Sequence, residues 1–110
     1  MENKQNNIMG SVERLIETRG WEEFHVPCYL VSSLLVECSE LMNECLWHTP
    51  EEINEMFQNR AEKIVNEMAD IAINYFSLVH YCHLDVEKIV DAKVNELIVR
   101  YQNLKHGEHR

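Results

Sequence analysis

Glycine and proline are scarce: this chain of 110 residues holds three Gly and two Pro. That shortage disfavours a turn-rich all-β architecture and favours long helices with few turns. Basic charge is short as well, with 10 Lys and Arg against 19 Asp and Glu and a formal net charge of −9. Such a field repels phosphate backbones, so direct binding to a nucleic-acid polymer is excluded. It does not exclude a small phosphorylated molecule, provided a divalent metal bridges the two charges. No run is long and apolar enough to span a membrane, so no membrane partner is expected, and MENKQNN is no signal peptide. The expectation is a cytoplasmic protein. No two cysteines stand in C-x-x-C spacing, so Cys28, Cys38, Cys45 and Cys82 read as reduced, buried small hydrophobes. Strand alternation, internal repeats and low-complexity segments are also missing.

What is present is apolar residue at helical spacing, within a 45% hydrophobic composition that rules out a disordered tail protein. Ile8, Val12, Leu15 and Ile16 share one face of a first helix over 8–18, which Gly20 ends. Residues 1–7 and 105–110 are polar and expected to be loose. Pro27 suits the first turn of a second helix over about 27–46. The apolar residues of that helix point in most directions, so it should be buried on several sides, in a bundle or at a subunit interface. Thr49-Pro50-Glu51-Glu52 has the form of a capping box with Pro at the first helical position. Helical periodicity then runs from Ile53 to Val79, with a break or bend expected near Gln58-Asn59-Arg60. Asp85 is a candidate N-cap for a last helix with Val86, Ile89, Val90, Val94, Leu97, Ile98 and Tyr101 on one face. The expected architecture is a single all-α domain over 1–110, a bundle of four or five helices completed by homo-oligomerisation.

Leu34 to Trp47, LLVECSELMNECLW, is the stretch with chemical consequence. Glu37 and Glu40 stand one turn apart in a run of Leu, Val, Met and Cys. Burying two acids there is costly unless a cation or a set of donors compensates them. A second pair, Glu67 and Asp70, has the same spacing, with Asn74 one turn further along the same edge as a groove-lining candidate for substrate binding. Facing each other across a bundle, the two pairs would supply hard oxygen ligands for Mg²⁺. A spare carboxylate, Glu37 or Glu40, would orient or deprotonate a water. Each pair alone is more often a solvated helix face; the apolar setting of the first pair changes the weighting. A carboxylate-bridged di-iron bundle is disfavoured, because no E-x-x-H lies on a core helix.

Glu37-Cys38-Ser39-Glu40, a spacer of some two dozen residues, and Glu67-Met68-Ala69-Asp70 resemble the signature of the MazG-like all-α nucleoside triphosphate pyrophosphohydrolases. Trp21, Phe24-His25, Pro27, Leu46-Trp47, Lys93 and Arg100-Tyr101 extend the resemblance towards the dCTP pyrophosphatase branch, over roughly Trp21 to Tyr101. The chain departs from that branch at Asn74, where the branch often has Tyr, and at Leu97 and Gln102. The resemblance implies Mg²⁺-dependent cleavage of (deoxy)nucleoside triphosphates to monophosphate and pyrophosphate, a house-cleaning or pool-balancing role, and a homodimer or dimer of dimers. It implies Glu37, Glu40, Glu67 and Asp70 as metal ligands, His25 in a base pocket and Lys93 on phosphate, with Arg100 a weaker phosphate candidate. Trp47 is a candidate for stacking on a base, against core or interface packing. The H-x-x-H of His80 and His83 reads as surface or packing. The competing reading of the whole chain is a non-catalytic helical dimerisation module.

Overall fold

The computed structural model describes residues 4–24 and 26–102, and of residues 4–7 and 24 the backbone alone. Five α-helices and one 3₁₀ turn occur in the order α1 (Lys4–Arg19), the turn Trp21–Phe24, α2 (Pro27–Cys45), α3 (Pro50–Gln58), α4 (Glu62–Tyr81) and α5 (Val86–Tyr101). No strand is present among the described residues. His25, residues 1–3 and the tail 103–110 lie outside them. The first helix starts before the expected Ile8, at Lys4.

Local chemistry accounts for the helix ends. Thr49 and Glu52 close the capping box: the Glu52 amide donates to Thr49 Oγ1 at 3.1 Å and the Thr49 amide donates to Glu52 Oε1 at 2.8 Å. The Thr49 amide, acting first among the causes, holds the Glu52 carboxyl below its ordinary range. Asp85 caps α5 by accepting from the Lys88 amide at 3.2 Å. The break near 58–60 is a Schellman turn. The Ala61 amide donates to the Met56 carbonyl, the Arg60 amide to that of Phe57, and Arg60 is left-handed at φ 54°. An equivalent turn ends α4, with Leu84 bonded to Val79, His83 to His80, and His83 at φ 55°. Gly20, at φ 65°, does the same work after α1 without a Cβ clash.

The framework is the α2–α4 pair, with α1 laid against α4. Ser33 and Glu37 on α2 share a cavity with Asn74 and Asp70 on α4. Val12, Ile16, Leu30, Ile64 and Val79 are the buried apolar residues. A 3.3 Å contact between His80 Nδ1 and Glu13 Oε2 ties α4 to α1. No described helix is long and apolar enough to cross a membrane.

A single chain is expanded. Its radius of gyration is 17.2 Å, where about 13 Å suits a compact domain of this length. Its accessible surface is 9118 Å², against roughly 6,300 Å² for a compact monomer of this mass. The expectation that α2 is buried on several sides is therefore not met within one chain. α4 covers one flank, while Leu35 and Met42 remain 66% and 63% exposed. For the same reason Cys28, Cys38 and Cys82 are exposed and only Cys45 is partly covered, though all four are free thiols as expected. On α5, Ile89, Val90, Val94 and Ile98 are likewise exposed.

Candidate metal centre

The acids are brought together by helical spacing on two facing helices. Glu67 and Asp70 sit one turn apart on α4, and Glu37 faces them from α2. One carboxylate oxygen from each of Glu37, Glu67 and Asp70 lies within 4.8 Å of the others, and all three residues are partly buried. Glu40 is exposed and outside that cluster, yet close enough for its charge to act on Glu67.

The electrostatics are unfavourable as they stand. Burial, then the facing Glu37 carboxylate, then Glu40 and Asp70 push the Glu67 carboxyl above its ordinary range. Glu67 Oε2 is buried and has no hydrogen-bond partner. An orphaned carboxylate oxygen beside two more carboxylates is costly, and a hard cation among them removes the cost. Magnesium fits the donor set: it takes oxygen ligands at about 2.0–2.1 Å, so its opposite ligands are about 4.2 Å apart. The three oxygens lie within 4.8 Å of one another, so small side-chain adjustments suffice to bring them onto one such ion.

A cavity of about 500 Å³ opens beside Glu37 and Asp70. Leu15 and Trp21 line it from the α1 side, Tyr29, Leu30 and Ser33 from α2, and Ile73, Asn74 and Ser77 from α4. The Arg19 guanidinium lies 5.9 Å from the centre of the Trp21 ring. Asn74 Nδ2 donates to the Asp70 carbonyl at 2.9 Å, and Ser77 Oγ donates to the Ile73 carbonyl at 2.8 Å.

Other expected site residues stand elsewhere. Trp47 is 98% exposed in a left-handed turn at φ 69°, off the cavity. Lys93 and Arg100 both point at Glu96, at 3.1 and 3.0 Å, and all three are exposed. Hydrogen bonding from Lys93, the first cause, holds Glu96 below the usual carboxylate range. Within one chain neither cation lines the cavity. The expectation for His25 lies outside the described residues. Sequence reasoning did not single out Ser33 and Ser77. Their signal was spacing: Ser33 stands four before Glu37, and Ser77 three after Asn74.

No protein-family model matches the chain. It is similar to dCTP pyrophosphatase 1 of Rattus norvegicus and of Mus musculus, 29% identical to each over 85 residues, or 76% of this chain. The match takes in 50% of each of those proteins, so the chain spans about half the length of the curated relatives it matches. A crystal structure of a pyrophosphatase from Archaeoglobus fulgidus superposes with a TM-score of 0.82, covering 92% of this chain and 94% of that one, at 22% identity. The fold is that of a MazG-like all-α pyrophosphatase.

Proposed function

We propose that the chain is a Mg²⁺-dependent nucleoside triphosphate pyrophosphohydrolase. It takes a (deoxy)nucleoside triphosphate and releases the monophosphate and pyrophosphate, in a house-cleaning or pool-control role. The observation that carries this reading is the convergence of Glu37, Glu67 and Asp70 around an unpartnered buried oxygen of Glu67. The relatives named dCTP pyrophosphatase 1 support it.

Glu37, Glu67 and Asp70 would hold the metal. When bound, Mg²⁺ neutralises polyphosphate charge and lowers the pKa of a coordinated water. Glu40, outside the tight cluster but adjacent to it, orients the attacking water and accepts its proton. The water attacks the α-phosphorus and pyrophosphate leaves. The apolar walls given by Leu15, Trp21, Leu30 and Ile73 bury the nucleoside and keep bulk water from it.

A second copy completes this assembly, as homodimer or dimer of dimers. Apolar residues on α2 and α5 stand exposed in one chain, and contiguous exposed apolar surface marks an association face. In such an assembly the exposed Trp47 would be available to stack on a base bound by a neighbour, and Lys93 and Arg100 would have to leave Glu96 to reach phosphate. A non-catalytic dimerising module would share these faces, but it gives no reason for three carboxylates to converge.

Pyrophosphate release from a panel of canonical and modified (d)NTPs, with and without Mg²⁺, tests the reading. Release should require Mg²⁺ and disappear in Glu67→Gln and Asp70→Asn, with helical circular dichroism retained. Full activity in either folded variant removes the mechanism.

A further inference from the structure

We infer that His80, His83 and Glu22 form a second cation site, fitted to a borderline divalent ion of the zinc class, with Glu13 positioning His80. This site stands apart from the α2/α4 acids and does not depend on the nucleotide reading. In sequence, the H-x-x-H at the end of α4 has no acid beside it. The fold supplies two. Glu13, from α1, brings Oε2 to 3.3 Å from His80 Nδ1. Glu22, from the 3₁₀ turn, lines a cavity of about 440 Å³ together with His80, Tyr81, His83 and Ile16. The two imidazoles stand one turn apart with ring centres 6.4 Å from each other, near enough for side-chain rotation to bring both onto one ion.

The donors decide which ion is held and how. A carboxylate at Nδ1 favours the tautomer with the proton on that nitrogen, so His80 Nε2 keeps its lone pair. In metal sites a carboxylate placed in this way orients the ligating histidine and makes it a stronger donor. Two imidazole nitrogens and one carboxylate oxygen suit Zn²⁺, Co²⁺ or Ni²⁺, whereas Mg²⁺ takes oxygen donors. The two centres therefore sort ions by ligand chemistry. His80 and Glu13 are 31% and 45% exposed at their side chains, so water can fill the remaining coordination positions. His83 holds the left-handed position that closes α4, at φ 55°. Glycine takes that conformation at least cost, as Gly20 does after α1, so a plain helix stop has no need of an imidazole there. An ion on Glu22, His80 and His83 ties the 3₁₀ turn to the end of α4. Trp21 adjoins Glu22 in that turn and lines the larger cavity, so the same tie steadies one of its walls.

The experiment titrates Zn²⁺, by calorimetry, and Co²⁺, by its visible absorption, into the full chain with Mg²⁺ in large excess and a non-chelating reductant present. Saturable binding of a single ion per chain is expected, undisturbed by the Mg²⁺ and retained in Glu67→Gln. His80→Gln and His83→Asn should each weaken it by about tenfold or more, and Glu13→Gln by about tenfold. Asn tolerates the left-handed backbone at position 83, so that variant keeps the turn. Zn²⁺ should raise the Tm of the parent protein and leave that of His83→Asn unchanged. Three results overturn the site: no Zn²⁺ binding over the Mg²⁺ background, binding of parental strength in both folded histidine variants, or thiolate-to-cobalt charge-transfer bands, which would put the ion on cysteine. Binding lost in a His106→Gln, His109→Gln double variant but kept in His80→Gln overturns it as well.

Discussion

Glu67 on α4 and Glu37 on α2 face each other with one carboxylate oxygen of each in a cluster spanning less than 4.8 Å, completed by Asp70. Glu67 Oε2 is buried there without a hydrogen-bond partner. Burial and the neighbouring carboxylates, Glu37 foremost, hold the Glu67 carboxyl above its ordinary range.

The first consequence is a pH dependence of stability without metal. Burial and the neighbouring carboxylates raise the Glu67 carboxyl in the folded state, so the native chain binds that proton more tightly than the unfolded one. Stability from this group is then full below the unfolded carboxyl range and is lost as pH rises through the raised folded value. Thermal melts in chelator should show Tm falling with pH across that window. Glu67→Gln should flatten the fall, and Mg²⁺, which favours the ionised form, should oppose it. A metal-free Tm unchanged by either would contradict the raised carboxyl.

The second separates metal holding from proton transfer. Glu40 stands outside the three-acid cluster, so Glu40→Gln should reduce kcat by 10²-fold or more, on the order expected for a lost general base. Its divalent-ion affinity should change far less than that of Glu37→Gln. Equal loss of affinity in the two variants would make Glu40 a ligand.

The third concerns assembly. Leu35 on α2 and Ile98 on α5 are 66% and 60% exposed. Light scattering behind size exclusion should give a mass of two or four chains. Leu35→Glu and Ile98→Glu should shift it towards one chain and lower Tm, because each sets a charge in an apolar contact. A monomeric parent protein would remove the assembly.

The fourth is local. Thr49→Ala removes the capping-box bond that the Glu52 amide donates to Thr49 Oγ1 at the start of α3, while the bond from the Thr49 backbone amide to Glu52 can persist. Urea unfolding should show a loss of about 0.5–2 kcal/mol, with pyrophosphate release little altered. A loss beyond that range would mean that Thr49 bears on more than the helix end.

Much of this was legible from sequence because the signals are local. Thr49-Pro50 and Asp85 mark helix starts through bonds made within four residues, and Gly20 marks a stop. The acid pairs were legible because spacing of three places side chains on one helix face. Burial was not, because it depends on what covers a helix. The side of α2 that bears Leu35 and Met42 is left largely exposed within one chain. Lys93 and Arg100 read as phosphate ligands, but Glu96, three residues from one and four from the other, satisfies both within the helix. Ser77 was missed because a serine within an apolar helix looks the same in sequence whether its hydroxyl meets a ligand or its own backbone.

Titration of Mn²⁺, as a calorimetric and spin-resonance reporter for Mg²⁺, into the full chain tests the central claim most directly. Saturable binding, displaced by Mg²⁺ and lost in both Glu67→Gln and Asp70→Asn, is the predicted result. Binding of equal strength in those folded variants, or none in the parent protein with or without nucleotide, would contradict a cation held by acids from α2 and α4.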